Sequence, residues 1–189
     1  MKKNPRDPVE EISRFWLDEV GADSWYEQSD EIDRICTDRF LGDWQIAMAG
    51  GYRSWLSSAK GAFAFLLLTD QLSRNMFRGT PAAFASDNLA LQVAKIAAER
   101  DYDQATPELE RQFFFLPFMH AEVLSEQERC VRLFMLRSPL DVGDNLRHAI
   151  LHRNVIRQFG RFPSRNAILG RTDSAAEIAY REEGGYMSG

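Results

Sequence analysis

The sequence predicts an all-α protein, with about eight helices paired into antiparallel hairpins within one domain spanning residues 1–189. Three observations predict it. No segment alternates apolar and polar residues with period two for long enough to make a strand. Apolar residues instead recur every three or four positions, run after run. The runs are also bounded by helix-start and helix-stop chemistry, with Asp, Ser or Thr at one end and Gly or Pro at the other.

In order, Asp7-Pro8-Val9-Glu10 reads as an N-cap, a proline at the first helical position and an N3 glutamate. Val9, Ile12, Phe15, Trp16 and Val20 form the stripe behind it, and Gly21 ends it. Ser29-Asp30-Glu31 opens a second helix, which places Ile32, Ile35, Cys36 and Phe40 inward and stops near Gly50-Gly51, with Gly42 as a potential interruption. A third helix starts near Ser57 or Ser58. It is apolar almost all round from Ala62 to Leu72, the pattern of a central buried helix. After a short turn at Pro81 to Phe84, Ser86-Asp87 caps the next helix. Thr106-Pro107-Glu108 starts another, which Pro117 ends or kinks. Ser125-x-x-Glu128 has the form of a capping box, Ser138-Pro139 is a break, and a long helix then runs to Gly160. Ser174-x-x-Glu177 caps a closing helix, and residues 184–189 form a glycine-rich tail expected to be loose.

Composition narrows the function classes. At 44% hydrophobic and 27% charged, the chain has the mix of an ordinary globular protein. MKKNPRDPVEE has no apolar core for a secretory signal, and the longest apolar run, Ala62 to Leu68, is far too short to span a membrane. Cys36 and Cys130 both sit at helical core spacing, as small buried hydrophobes do. The expected address is therefore the cytoplasm, without membrane attachment. A net charge of −5 argues against nucleic acid as a partner. That charge is segregated, however. Asn145 to Arg171 contains Arg147, Arg153, Arg157, Arg161, Arg165 and Arg171 with no acid, whereas Asp18 to Asp43 is strongly acidic. Such segregation either pairs up within the fold or between subunits of a homo-oligomer, or it leaves a basic site for a ligand.

Two stretches carry the polar chemistry. In LLLTDQLSRNMFRGTPAAFASD an apolar helix fills abruptly with Asp70, Gln71, Arg74, Asn75 and Arg78. The spacing puts Asp70, Arg74 and Arg78 on one helix face, with Gln71 and Asn75 in the neighbouring row. Asp70 four residues before Arg74 would orient its guanidinium toward a carboxylate or phosphate. GRFPSRNAILGR again pairs arginine and asparagine, with Arg161, Arg165 and Asn166. The first expectation is thus an Arg-rich cleft for an anionic small molecule or an acidic peptide. The structural alternative is a buried Arg–Asp–Glu network that locks hairpins together, with function left to protein–protein interaction. An enzyme, most plausibly a hydrolase, would use His120 or His152 as base, Glu122 as acid, and Arg161 or Arg165 as oxyanion clamp. His148 and His152 have helical metal-ligand spacing and could join His120 and Glu122 around an ion. No HExxH, paired CxxC or Asp-rich loop supports that, so no metal and no cofactor are expected. The bland role for His152 is to hold Glu122 or Asp70.

Together with LPFMHAEVLSEQE and HRNVIRQFGRFPSRNAILGR, the first stretch resembles the bacterial domain-of-unknown-function family 924, over about Asp7 to Glu183. The resemblance implies a TPR-like right-handed superhelix and brings no established activity, substrate or cofactor. Its shared polar positions fall on Asp70, Gln71, Arg74, Asn75 and Arg78, on Pro117, His120, Glu122 and Gln127, and on His152, Gly160, Arg161, Phe162, Pro163, Arg165 and Asn166. Leu72-Ser73 stands where the family usually has Phe-Pro, which should let the central helix run on toward Asn75. Ala121 replaces a serine, removing a hydroxyl that could have been a nucleophile.

Overall fold

A computed structural model of the chain describes residues 6–140 and 144–186. Among these it contains helices and no strands, so the all-α expectation holds. Asp7 caps α1 (Pro8–Arg14) by accepting from the Val9 N–H at 3.1 Å. The helix continues as a π-helical stretch, Phe15–Val20, to Gly21 at φ +76°. Ser29 caps α2 (Asp30–Met48), and Gly42 does not interrupt it. Ser58 caps α3 (Ala59–Leu66), whose polypeptide runs on through π-helical Leu67–Leu72 into α4 (Ser73–Met76), past Asn75 as the Leu72-Ser73 departure suggested. The remaining α-helices are α5 (Asp87–Glu99), α6 (Glu108–Arg111), α7 (Leu116–Met119), α8 (Leu124–Arg137), α9 (Asn145–Phe159) and α10 (Ala175–Glu182). The segments outnumber the expected helices because a π-helical stretch divides α3 from α4 and a 3-10 turn divides α6 from α7.

Every residue from 61 to 73 is buried. α3 lies against α1 and α5, α4 against α2, and α8 packs along α9 as a helical hairpin. The main core gathers around Phe113, edge-on to Trp16, Trp25 and Phe63 at 4.8–6.2 Å between centroids. A smaller core of Val155, Ile156 and Phe162 holds α10 through Phe159 and Tyr180. Gly61 is the tightest approach in the central helix, since a Cβ there would sit 2.2 Å from the Trp55 carbonyl oxygen, a backbone atom. Gly61→Ala is expected to cost about 1–3 kcal/mol through overpacking, read as a lower melting temperature with no change in helix content by circular dichroism.

Tertiary demands overrule several local expectations. Ser86 does not cap α5: its hydroxyl donates to the Thr69 carbonyl at 2.5 Å and accepts from Trp44 Nε1 at 3.1 Å. Ser125 caps nothing either. α8 starts two residues earlier than a Ser125 cap implies, after Val123, and buried Gln127 is spent on the carbonyls of Met119 and Ala121 at 2.6 and 2.7 Å, closing the end of α7. Pro117 sits in the first turn of α7, where its missing N–H costs nothing. The Ser174–Glu177 capping box forms as read. The tail is docked as far as Tyr186, which packs on His152, while 187–189 lie outside the described residues.

Candidate functional site

A cavity of about 410 Å³ opens where five parts of the chain meet. The π-helical stretch, α4 and the turn after it contribute Gln71, Arg74, Asn75 and Arg78. α7 and its C-cap contribute Leu116, Met119 and His120, and α9 contributes Asn145, His148 and His152. Trp25, Tyr26 and Glu27 from the turn after the first helix, and Tyr186 from the C-terminal segment, complete the wall.

Asp70 and Arg74 lie one turn apart as the spacing implied, and Arg74 Nη1 donates to the Asp70 carbonyl at 2.8 Å. Asp70 lies in the π-helical stretch, and its fully buried carboxylate faces His120. His120 Nδ1 donates to the Asp70 carboxylate at 2.8 Å, and Gln71 Nε2 donates to its other oxygen at 2.5 Å. The Asp70–Arg74 ion pair is long, 3.7 Å. Arg74 binds Asp87 instead, at 3.0 and 3.4 Å, and Arg78 binds Asp33 at 2.5 and 2.9 Å.

Asp87 also accepts from Arg165 Nη1 at 3.1 Å, and Arg165 Nη2 donates to the His120 carbonyl at 3.1 Å. The Arg165 guanidinium is clamped between Phe84 and Phe162, 4.5 and 4.8 Å from the ring centroids. The chain of contacts therefore starts and ends on His120: imidazole to Asp70, Arg74, Asp87, Arg165 and back to the His120 carbonyl. Its two carboxylates and two guanidiniums balance. Burial and then Arg74 push the His120 pKa down, more than Asp70 raises it. Burial alone would raise that of Asp70, but His120 and Arg74 reverse this and hold it below the usual carboxylate range. With Arg74 supplying the countercharge, the pair is an ionised carboxylate and a neutral imidazole whose Nε2 lone pair is left for the cavity.

His152 is also neutral. Burial takes its pKa down to about 3, and its Nδ1 donates to the His148 carbonyl at 2.8 Å. His148 Nδ1 lies 2.9 Å from the Tyr186 hydroxyl. His152 therefore holds neither Asp70, which His120 engages, nor Glu122.

Three expected site residues are elsewhere. Glu122 turns away from His120 to accept from Arg171, at 2.8 Å to each oxygen, and from the Phe162 N–H at 2.8 Å. Arg161 is bound to Glu177 and the Thr172 carbonyl, and Asn166 donates to Asp173 and Glu177. Arg161 and Asn166 tie α10 to the loop before it, and Glu122 ties that loop to the chain after α7. Glu122 therefore cannot serve His120 as acid, nor join the histidines around an ion. Among the described residues no group of three or more His, Cys, Asp or Glu is arranged to hold a metal.

A model of a bacterial protein family of unknown function, DUF924, matches residues 12–185. The chain belongs to this family. It is similar to a solved structure of a protein of unknown function, ATU0120, from Agrobacterium tumefaciens, with 40% sequence identity and a TM-score of 0.86 over 93% of this chain and 97% of that one. No curated protein matches it. The solved neighbour shares the fold, and the chemistry is left to be argued from the site.

Several of the site's parts were missed in the sequence. Asp33 and Asp87 look like ordinary acids near helix starts, and Tyr186 lies in a glycine-rich tail. The segregated charge also resolves without a ligand. Each of the six arginines in the basic stretch meets a carboxylate of this chain, and none of those carboxylates comes from the acidic stretch.

Proposed function

We propose that this DUF924 chain binds a small polar molecule in the cavity and that His120 acts there as proton acceptor, the hydrolase-type reading of the site. One observation carries it: Asp70 holds His120 Nδ1 at 2.8 Å, and the other ring nitrogen is left for a cavity of about 410 Å³. That volume is ordinary for a small-molecule site. A carboxylate behind Nδ1 fixes the tautomer and stabilises the imidazolium that forms when Nε2 takes a proton from water or from a ligand hydroxyl. No helix among the described residues is long and apolar enough to cross a membrane.

Binding of an anionic small molecule or acidic peptide keeps one specific support. Arg78 lines the cavity and spends only Nε and Nη2 on Asp33. Against it, Arg74 and Arg165 share Asp87, and Arg161 belongs to Glu177.

The test is a screen of carboxylic, phosphoric and glycosidic ester substrates with the parent chain and His120→Gln. Glutamine keeps a donor for Asp70 and removes the base. Turnover is expected to fall by about 10²–10⁴-fold while ligand-induced thermal stabilisation survives. Full turnover in His120→Gln would end the catalytic reading. A ligand whose stabilisation vanishes only in Arg78→Ala would replace it with anion binding.

A further inference from the structure

The wall of this cavity has a direction built into it. Behind its polar side chains stand groups that only accept hydrogen bonds: the carboxylates of Asp70 and Asp33 and the carbonyl of His148. An amide or imidazole facing such a group must turn its N–H inward. Gln71 Nε2 donates to Asp70 at 2.5 Å, Asn75 Nδ2 to Asp33 at 2.8 Å, His120 Nδ1 to Asp70 at 2.8 Å, and His152 Nδ1 to the His148 carbonyl at 2.8 Å. The opposite end of each of these side chains is an acceptor. Gln71 Oε1, Asn75 Oδ1, His120 Nε2 and His152 Nε2 have no partner within the described residues, and none is sealed from solvent. Gln71, Asn75 and His152 are each more than nine-tenths buried, so these acceptors are held in place.

We infer that the cavity takes a neutral ligand rich in hydroxyl donors, a polyol or sugar-like molecule, whose O–H groups meet this set of four acceptors. The inference rests on the reading of the cavity as a binding site faced by His120. An anion's oxygens only accept, so they would oppose these four acceptors, and Arg74 directs Nη1 and Nη2 at Asp87, which leaves only its buried Nε without a partner. An ammonium ligand would donate well and would meet Glu27 in the same lining, but it would also sit beside the like charges of Arg74 and Arg78. A hydroxyl suits both sides, donating to the four acceptors and accepting from the unengaged nitrogen of Arg78. The rings of Trp25 and Tyr26 offer the same cavity a surface for C–H faces. A hydroxyl that donates to His120 Nε2 is also placed to lose its proton there.

The experiment uses the full chain and saturation-transfer NMR. The probes are neutral monosaccharides and cyclic polyols, the phosphate monoesters of the same molecules, and their amino-substituted counterparts. Binding is located by the imidazole resonances of His120 and His152. The neutral compounds are expected to bind best and to shift both rings. His152→Phe, which keeps the ring packing on Phe162 and Tyr186, is expected to weaken them about tenfold, the loss of one ligand hydrogen bond. Asn75→Ala gives the same reading where the first variant fails to fold, because Arg78 still holds Asp33. Preference for the phosphate or amino compounds, with His120 shifted, would overturn the ligand class and leave the site standing. Neutral compounds bound with no loss in either variant would overturn it too. No shift of His120 by any of the three classes would remove the site and the inference together.

Discussion

Asp87→Ala is expected to lower the melting temperature by about 6–20 °C. Asp87 is the carboxylate shared by Arg74, at 3.0 and 3.4 Å, and Arg165, at 3.1 Å. Both guanidiniums are largely withdrawn from water, Arg165 to 8% side-chain exposure. Removing their bridge leaves two like charges side by side. Asp70 cannot replace it, being 3.7 Å from Arg74 and already engaged by His120 and Gln71. Removing one partner of a buried pair costs about 3–5 kcal/mol, and each kcal/mol shifts a domain of this size by about 2–4 °C. Asp87→Asn, which keeps the shape and loses the charge, should fall between Asp87→Ala and the parent. Asp38→Ala is the control: the Arg34–Asp38 pair is exposed on both sides and worth at most about 1 kcal/mol. Equal melting temperatures for the Asp87 and Asp38 variants would show that the arginines do not depend on this bridge.

The same network marks the limit of what the sequence discloses. Where a helix starts for local reasons, the start was legible. Asp7, Ser29, Ser58 and Ser174 cap as their spacing predicts, because the hydroxyl or carboxylate has nothing better to bind than the N–H groups beside it. Ser86 and Ser125 carry the same local signal and fail. The Ser86 hydroxyl is claimed by the Thr69 carbonyl, 17 residues away, and Gln127 fixes the start of α8 by binding the end of α7. No window of a dozen residues contains those partners.

The site divides in the same way. Gln71, Arg74, Asn75, Arg78, His120 and His152 do line one cavity, so the two polar stretches and the histidine corner pointed to the right region. The main partner of the Asp70 carboxylate was hidden because His120 lies 50 residues away in the chain. Glu122, two residues from His120, is taken by Arg171 and the Phe162 N–H, partners 40 or more residues away that no local spacing discloses. Arg161 and Asn166 sit beside Arg165 in sequence, but a 3-10 turn sends Arg165 under His120 and leaves the other two to α10. Adjacency was read there as convergence. The TPR-like superhelix remains an implication of the family resemblance, and no clean repeat period in the sequence speaks for it.

Acid should destabilise the protein well before its carboxylates titrate. His152 is 7% exposed and its folded pKa is near 3, against an unperturbed 6.5. Its surroundings cannot reverse that: Arg165 and the imidazoles of His120 and His148 disfavour a further charge, and Tyr186 offers a hydroxyl. Between those two pKa values the unfolded chain binds a proton that the folded chain refuses. Stability therefore rises with pH across this window, is fully present above about pH 6.5, and is lost as the pH falls toward 3. At pH 4.5 the loss from this one residue is about 2–3 kcal/mol. His120, also lowered, contributes with the same sign. The lowered carboxylates Asp70, Glu122 and Glu177 add theirs mainly as the pH falls through about 4.5 and below, where their unfolded forms become half protonated. Urea titrations at intervals from pH 7 to pH 4.5 should show a steady fall in unfolding free energy. His152→Phe should remove most of that slope, because phenylalanine has no proton to refuse and fills the same place against Phe162 and Tyr186. A parent whose stability is flat over this range, or a variant with the parent's slope, would mean that His152 takes up its proton inside the fold. The cavity would then present a donor where a neutral His152 presents an acceptor, and a ligand of the opposite polarity would fit it.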